Sequence, residues 1–266
     1  RRASPQIGEN IGVIGLGITG QLCSSILSTF GCNVIGIDID SKKVDFAGQN
    51  LNITALERSN SQILEQIMSF SNGYGLDKVV IAAATKSNDP IDFAVDILRD
   101  RGEIIVLGNV SMNLSWKKTY YKEITVKLSR SYGPGRYENN YENKGMDFPI
   151  GYIRWTEKRN MASFLEILSK GKIPMSKILT HEFDFNSDAP NVYENLMKRN
   201  EVVIGTLFKY DSNASTRKSI IYRKPSTGQV SDIRVGFIGA GSYAQKFLLP
   251  KLSSNKSTTL SMVCNS

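Results

Sequence analysis

Gly15, Gly17, Gly20 and Asp38 are the residues whose types and spacing first suggest chemistry. The glycines stand in G-x-G-x-x-G spacing, and Asp38 follows eighteen positions after the last. Each suits one part of a dinucleotide. Gly15 permits a tight turn. Gly17, without a Cβ, lets a pyrophosphate approach the backbone. Gly20 lets a helix pack closely on a strand. The intervening Leu16, Ile18 and Thr19 bring backbone N–H groups to a helix start, where a partial positive charge attracts phosphate. Asp38 stands where a carboxylate can accept both ribose hydroxyls of an adenosine. Lys43 lies just beyond, where an ammonium reaches the same ribose or simply faces water. A carboxylate repels a 2′-phosphate, so NAD is expected and NADP is less favoured.

The elements that position these groups are legible around them. Ile11 to Ile14 reads as a strand, and Leu22, Ile26, Leu27 and Phe30 recur at helical spacing before Gly31. Val34 to Ile37 is a second strand ending at Asp38, and Ser41 is placed to cap the next helix. Further strands are expected at Leu51 to Thr54, Lys78 to Ala83, Glu103 to Leu107 and Glu123 to Leu128, separated by helical stretches. This alternation predicts an α/β fold, a Rossmann doubly wound parallel sheet in 3-2-1-4-5-6 order, with its crevice at the carboxyl ends of the strands. Gly108-Asn109-Val110 and Ser129-Arg130-Ser131 would border the nicotinamide end, and Gly108 joins the cofactor-binding candidates.

Residues 129–160 are rich in glycine, proline and aromatics and read as an ordered loop. Arg136, Tyr137, Tyr141, Arg154 and Glu157 either pin that loop, the favoured reading, or meet a polyhydroxylated or anionic substrate. His181, the only histidine, lies in an expected strand from Ile178 to Phe183 and reads as structural. A helix from Pro190 to Lys198 and a strand from Val202 to Tyr210 follow. No catalytic residue is assigned, and no metal ligand set appears, since the three cysteines are scattered.

Residues 211–231 are polar and read as a linker between a domain at 1–210 and a second one. At 232–266 the opening theme returns: Gly239, Gly241 and Ala244 keep G-x-G-x-x-A spacing, and Asn265 takes the place of Asp38. So short a βαβ start buries no core of its own, and the stretch is expected to be the truncated start of a second Rossmann domain. The net charge of +8 comes from Lys and Arg scattered along 266 residues, which points to solvated faces and not to nucleic acid. No apolar run reaches the ~20 residues of a membrane span, and there is no signal-peptide core. A cytoplasmic location with reduced thiols is expected.

The pieces G-L-G-I-T-G, I-D-I-D-S-K-K, R-G-E-I-I-V-L-G and L-T-H-E-F make residues 4–210 resemble the cofactor-binding part of zinc-type medium-chain alcohol dehydrogenases. The stretch from S-R-S-Y-G-P-G-R-Y to G-Y-I-R-W-T-E-K-R-N is similar to bacterial two-domain oxidoreductases. In those, such a half is fused to one of glucose-fructose oxidoreductase/inositol dehydrogenase (Gfo/Idh/MocA) type, whose opening residues 232–266 resemble. The resemblance implies a nicotinamide-dependent oxidoreductase acting on a sugar-like alcohol or ketone, with a homo-oligomer left open. Gly15, Gly17, Gly20, Asp38 and Lys43 match the family's NAD positions. The family's zinc ligands lie mostly in an N-terminal domain that has no counterpart here, so zinc is not supported and the chain is expected to be inactive alone. A non-catalytic NAD(H)-binding or sensing module is the alternative.

Overall fold

The computed structural model describes residues 1–188, 191–198, 201–211, 233–255 and 257–264. The chain divides into two compact units, Arg1–Asp211 and Ser212–Ser266. The stretch read as a linker lies almost wholly outside the described residues, as does Asn265.

The first unit opens with β1 (Asn10–Ile14), α1 (Ile18–Thr29), β2 (Asn33–Asp38), α2 (Ser41–Asn50), β3 (Thr54–Glu57), α3 (Ile63–Phe70) and β4 (Leu76–Ile81). It continues with α4 (Asp89–Ile97), β5 (Leu98–Val106), α5 (Trp116–Tyr121) and β6 (Thr125–Leu128). The six strands form one sheet in the order β3-β2-β1-β4-β5-β6, and every pairing is parallel. This is the Rossmann order expected from the alternation of strands and helices. Ile11, Val79 and Ile81 are completely buried, as a strand covered by helices on both faces requires. Ile35, Ile37, Ile67, Ile91 and Ile104 pack in one apolar cluster, and Val13, Leu27, Val34 and Ile105 in another.

Several element boundaries differ from the sequence reading, each for a reason of packing. β3 begins at Thr54, not Leu51. The Leu51 N–H closes the end of α2 on Ala47 and its buried side chain serves the core, so pairing starts only where Thr54 meets Ile35. β4 ends at Ile81, where the Ala82 N–H gives the last bond to β1, on the Ile14 carbonyl. β5 starts early, at Leu98 opposite Leu76, with an irregularity before Glu103. Arg101 sits there at φ +57°, and its N–H donates to the Lys122 carbonyl at 2.6 Å. β6 starts late, after Glu123 at φ +48°. At the start of α2 the capping side chain is Asp40, whose carboxylate accepts the Lys42 N–H at 3.1 Å, not Ser41.

Beyond the sheet come α6 (Asn139–Glu142), α7 (Glu157–Ser169), α8 (Met175–Ile178), β7 (Leu179–Asp184), α9 (Phe185–Asp188), α10 (Val192–Lys198) and β8 (Gly205–Lys209). β7 and β8 pair in parallel as a separate small sheet. Ile173, Ile178 and Ile204 from this segment share a cluster with Leu16 and Val44, which fastens it to the glycine-turn side of the main sheet.

The second unit holds β9 (Ile233–Ile238), a π-helical turn (Ala244–Leu248), α11 (Leu249–Ser254) and β10 (Thr258–Cys264). β9 and β10 pair in parallel. The helical stretch between these strands is in two parts, the π-helical turn and α11. Pro250, near the start of α11, has no N–H to give to the carbonyl one turn back, so the preceding turn widens.

Candidate nucleotide-binding site

At the carboxyl end of β1 the chain turns sharply into α1. Gly15 adopts φ +96°, and its N–H donates to the Ile37 carbonyl at 2.7 Å, tying the turn to β2. A Cβ on Gly20 would lie 1.7 Å from the Gly15 carbonyl oxygen, so only glycine lets α1 approach this closely. A Cβ on Gly17 would meet nothing within 4 Å. The two glycines therefore serve different ends: Gly20 is required by packing, while Gly17 faces open space at the helix start. Gly17 is also the N-cap of α1, without a side-chain cap, and no acidic residue occupies the first turn. The N–H groups there point outward with the positive end of a twelve-residue helix behind them. Thr19 and Ile18 are exposed at this mouth.

Asp38 is buried at the end of β2. Its Oδ2 accepts the Leu16 N–H at 2.6 Å and its Oδ1 accepts the Asp40 N–H at 2.9 Å. The carboxylate thus braces the turn; a carboxylate has about four lone-pair positions, so two remain for further donors. Leu16 itself is fully buried, packing where a Cβ on Gly36 would be only 2.8 Å from its Cδ2. It contributes shape rather than a free donor. The Lys43 ammonium lies 3.6 Å from the Asp40 carboxylate, half-exposed, near the same rim. Ile39, 81% exposed, presents an apolar side chain beside Asp38.

Gln21 lies outside the glycine motif, yet it holds the turn. It is fully buried, and its Nε2 donates to the Leu16 carbonyl at 3.0 Å. The second unit repeats the device: Gln245 Nε2 donates to the Ala240 carbonyl at 2.7 Å, and the Gly239 N–H donates to the Cys264 carbonyl at 2.8 Å. Gly239 takes φ +83° as Gly15 does, a Cβ on Gly241 would meet nothing, and Ala244 is buried. A glutamine directly after each third motif position is the signal in the sequence that marks this pair.

Across the crevice, Gly108 follows β5. A Cβ there would lie 1.8 Å from the Ala83 carbonyl oxygen, while one on Gly15 would lie 2.8 Å from the Ala83 nitrogen. Gly108 and Gly15 thus close on the same residue from both sides, which draws the ends of β1, β4 and β5 together. Beside them, Ala84, Thr85, Lys86, Asn109 and Ser111 line an open cavity of about 430 Å³, with the Thr85 N–H donating to the Asn109 carbonyl.

The loop after β6 is held by its own side chains. Arg159 donates to the Phe148 and Ile153 carbonyls and pairs with Asp147 at 2.8 Å; the Tyr141 hydroxyl accepts the Lys158 N–H at 3.0 Å. Arg154 lies over the Trp155 ring. His181 does have a carboxylate near it: its Nε2 lies 3.3 Å from Glu201, and its Nδ1 2.8 Å from the Thr180 hydroxyl. Sequence distance conceals that pair. Cys23 is partly buried, Cys32 buried and Cys264 exposed, and burial pushes the Cys23 thiol up to about 11. Among the described residues, no three His, Cys, Asp or Glu side chains gather where a metal ion could be held. The zinc site of the resembling family therefore finds no fit in them. No described helix is long and apolar enough to cross a membrane.

Against known proteins, residues 19–144 match the family described as zinc-binding dehydrogenase, slightly less than half of the chain. L-galactonate-5-dehydrogenase of Escherichia coli (strain K12) is 21% identical over 209 residues, which is 78% of this chain and 54% of that protein. NADP-dependent isopropanol dehydrogenase of Entamoeba histolytica is 29% identical over 192 residues, 68% of this chain and 45% of its own length. Among solved structures, a short chain alcohol dehydrogenase from E. coli CFT073 complexed with cofactor NADH superposes with a TM-score of 0.57 at 18% identity, covering 78% of this chain and 54% of that one. At that identity the likeness shows a shared fold. The chain spans about half the length of the curated relatives it matches.

Proposed function

We propose that this chain is the cofactor-binding region of an oxidoreductase that moves hydride between NAD and a sugar-like alcohol or ketone. The observation that carries it is the turn from β1 to α1: Gly17 leaves open space at an uncapped helix start, and the Asp38 carboxylate is fixed 2.6 Å from the Leu16 nitrogen beside it. Pyrophosphate would lie against Gly17, Ile18 and Thr19, and the adenosine ribose against Asp38. Lys43 and Ile39 would flank that ribose and its base. When bound, the nicotinamide supplies the hydride acceptor or donor. Gly108 shapes the floor at the other end by closing on Ala83. The relative named L-galactonate-5-dehydrogenase supports a small polyol-like substrate.

NAD is the preferred dinucleotide in this reading, because a 2′-phosphate would meet the buried Asp38 carboxylate. The domain reading is likewise a proposal: a dinucleotide-binding domain over 1–210, then a linker, then the opening of a Gfo/Idh/MocA-type domain at 232–266. Its support is the repeated glycine turn with its glutamine brace. Binding without turnover is expected of the chain by itself. Affinity without groups that stabilise a transition state gives no rate, and no metal triad gathers among the described residues.

Titration of the whole chain with NADH and NADPH, followed by nicotinamide fluorescence, tests the reading. NADH should bind at least tenfold more tightly than NADPH, and Gly17→Val should abolish binding while leaving circular dichroism intact. Equal affinities, or an unaffected Gly17→Val, would overturn it. Steady NADH oxidation with aldoses or ketoses would refute the expectation of binding alone.

A further inference from the structure

Asp38 takes the adenosine end of the dinucleotide at β2 and α1 takes its phosphates, so the reactive half runs toward β4, β5 and β6. The loop leaving β6 therefore faces the substrate. The Ser129 N–H donates to the Val106 carbonyl at 2.9 Å, which keeps the chain beside β5 for one more residue, and Arg130 comes next. Around it, cations gather. The guanidinium carbons of Arg136 and Arg130 lie 4.5 and 5.5 Å from the centre of the Tyr137 ring, so two arginines gather at one aromatic ring. Arg1 is close enough to Arg130 and Arg2 to feel their charge, and its Nε lies 3.0 Å from where a Cβ on Gly133 would be. Arg2 donates to the Leu128 carbonyl.

Against these four guanidinium groups stands one paired carboxylate, Glu142, 2.6 Å from Arg136. Like charges assembled this way repel one another, and an anion placed among them removes that cost. Two buried polar atoms in the same loop lack any partner, the Arg136 Nε and the Thr156 hydroxyl, although buried polar groups are nearly always paired. The frame is fixed beforehand. Gly133 and Gly135 are buried at φ +109° and +103°, and the Asn160 amide donates to the Tyr132 carbonyl at 2.7 Å. Tyr132 and Tyr137 are exposed alongside, each with the Arg136 guanidinium over its ring.

We propose that Arg130 and Arg136, with Arg1 and Arg2 behind them, seat an oxyanion carried by the substrate, so that the sugar-like molecule is an acidic one bearing a carboxylate or a phosphate ester. The proposal rests on the dinucleotide reading above, which orients the loop toward the reacting end.

The test is calorimetric titration of the whole chain, with and without NADH, using sodium D-galacturonate, D-glucose 6-phosphate, D-galactose and inorganic phosphate. At least one of the two acids should bind tenfold or more tightly than galactose, and the tighter of the two identifies carboxylate or phosphate as the anion. Arg130→Gln leaves the Arg136–Glu142 pair in place; it should weaken that acid tenfold or more and recover in part as Arg130→Lys. Arg136→Gln should behave alike. Galactose binding as tightly as both acids, or acid binding unmoved in both glutamine variants, would overturn the seat. Discrimination between acid and galactose without any NADH binding would leave the seat standing and remove the dinucleotide reading. NADH binding without that discrimination would do the reverse.

Discussion

Gly17 and Gly20 stand three residues apart in one motif, yet the space around them differs completely, and this separates affinity from stability. Gly20→Ala should destabilise the chain by about 3 kcal/mol, since its Cβ would meet backbone at 1.7 Å and backbone yields poorly. Gly17→Ala should change stability by less than ~0.5 kcal/mol and lower NADH affinity. Urea unfolding with parallel NADH titration of both variants checks the pair. A second residue effect concerns pH. Burial raises the Cys23 thiol from 9.0 to about 11, so the folded state favours the neutral form. That stabilisation is complete below pH 9 and is lost as pH rises toward 11, up to ~2 kcal/mol. Unfolding midpoints at pH 8 and pH 10.5 should differ less in Cys23→Ala than in the unmodified chain. Iodoacetamide should reach the exposed Cys264 well before Cys23.

At the scale of elements, helix ends carry effects that side-chain counts miss. Asp40, not Ser41, accepts the free N–H at the start of α2. Asp40→Ala should cost ~1 kcal/mol and Ser41→Ala almost nothing in thermal unfolding; the exposed Asp40–Lys43 pair adds little to that figure. At the end of α4, the Lys122 ammonium donates to the carbonyls of Val95, Asp96 and Leu98, between 2.6 and 3.1 Å. Burial lowers its pKa. It joins a helix end to the approach of β6, so Lys122→Met should cost ~1.5–3 kcal/mol by leaving three carbonyls without their donor. A loss below ~0.5 kcal/mol on urea unfolding would show that water replaces the ammonium freely.

For the whole molecule, the three apolar clusters all lie within the first unit. In the second, Ala240 and Ala244 are the buried apolar residues among those described, while Ile238, Tyr243 and Met262 are exposed. A two-stranded sheet with so little core does not stand alone. A chain ending at Asp211 should therefore keep its unfolding free energy within ~1 kcal/mol and its NADH affinity unchanged, whereas residues 232–266 alone should show no cooperative transition by circular dichroism. Loss of folding in the shorter chain would mean that the core depends on the second unit.

The glycine spacing and the regular alternation of apolar strands with helical faces are enough, read from the sequence, to obtain the strand order. Those signals are local: a glycine turn, a period of two or 3.6, a helix start, each decided within a few residues. The repeated glutamine after each glycine motif is equally local, but its role shows only once the carbonyl it braces is seen. What only the tertiary structure decided depends on residues far apart in the chain meeting in space. β3 starts at Thr54 because Ile35 waits opposite it. Gly108 must be glycine because the Ala83 carbonyl arrives from β4. His181 in β7 finds Glu201 twenty positions away, ahead of β8. The arginine cluster joins residues 1 and 2 to residues 130 and 136. Charge and close packing act through space, so no spacing rule along the chain could have assembled them.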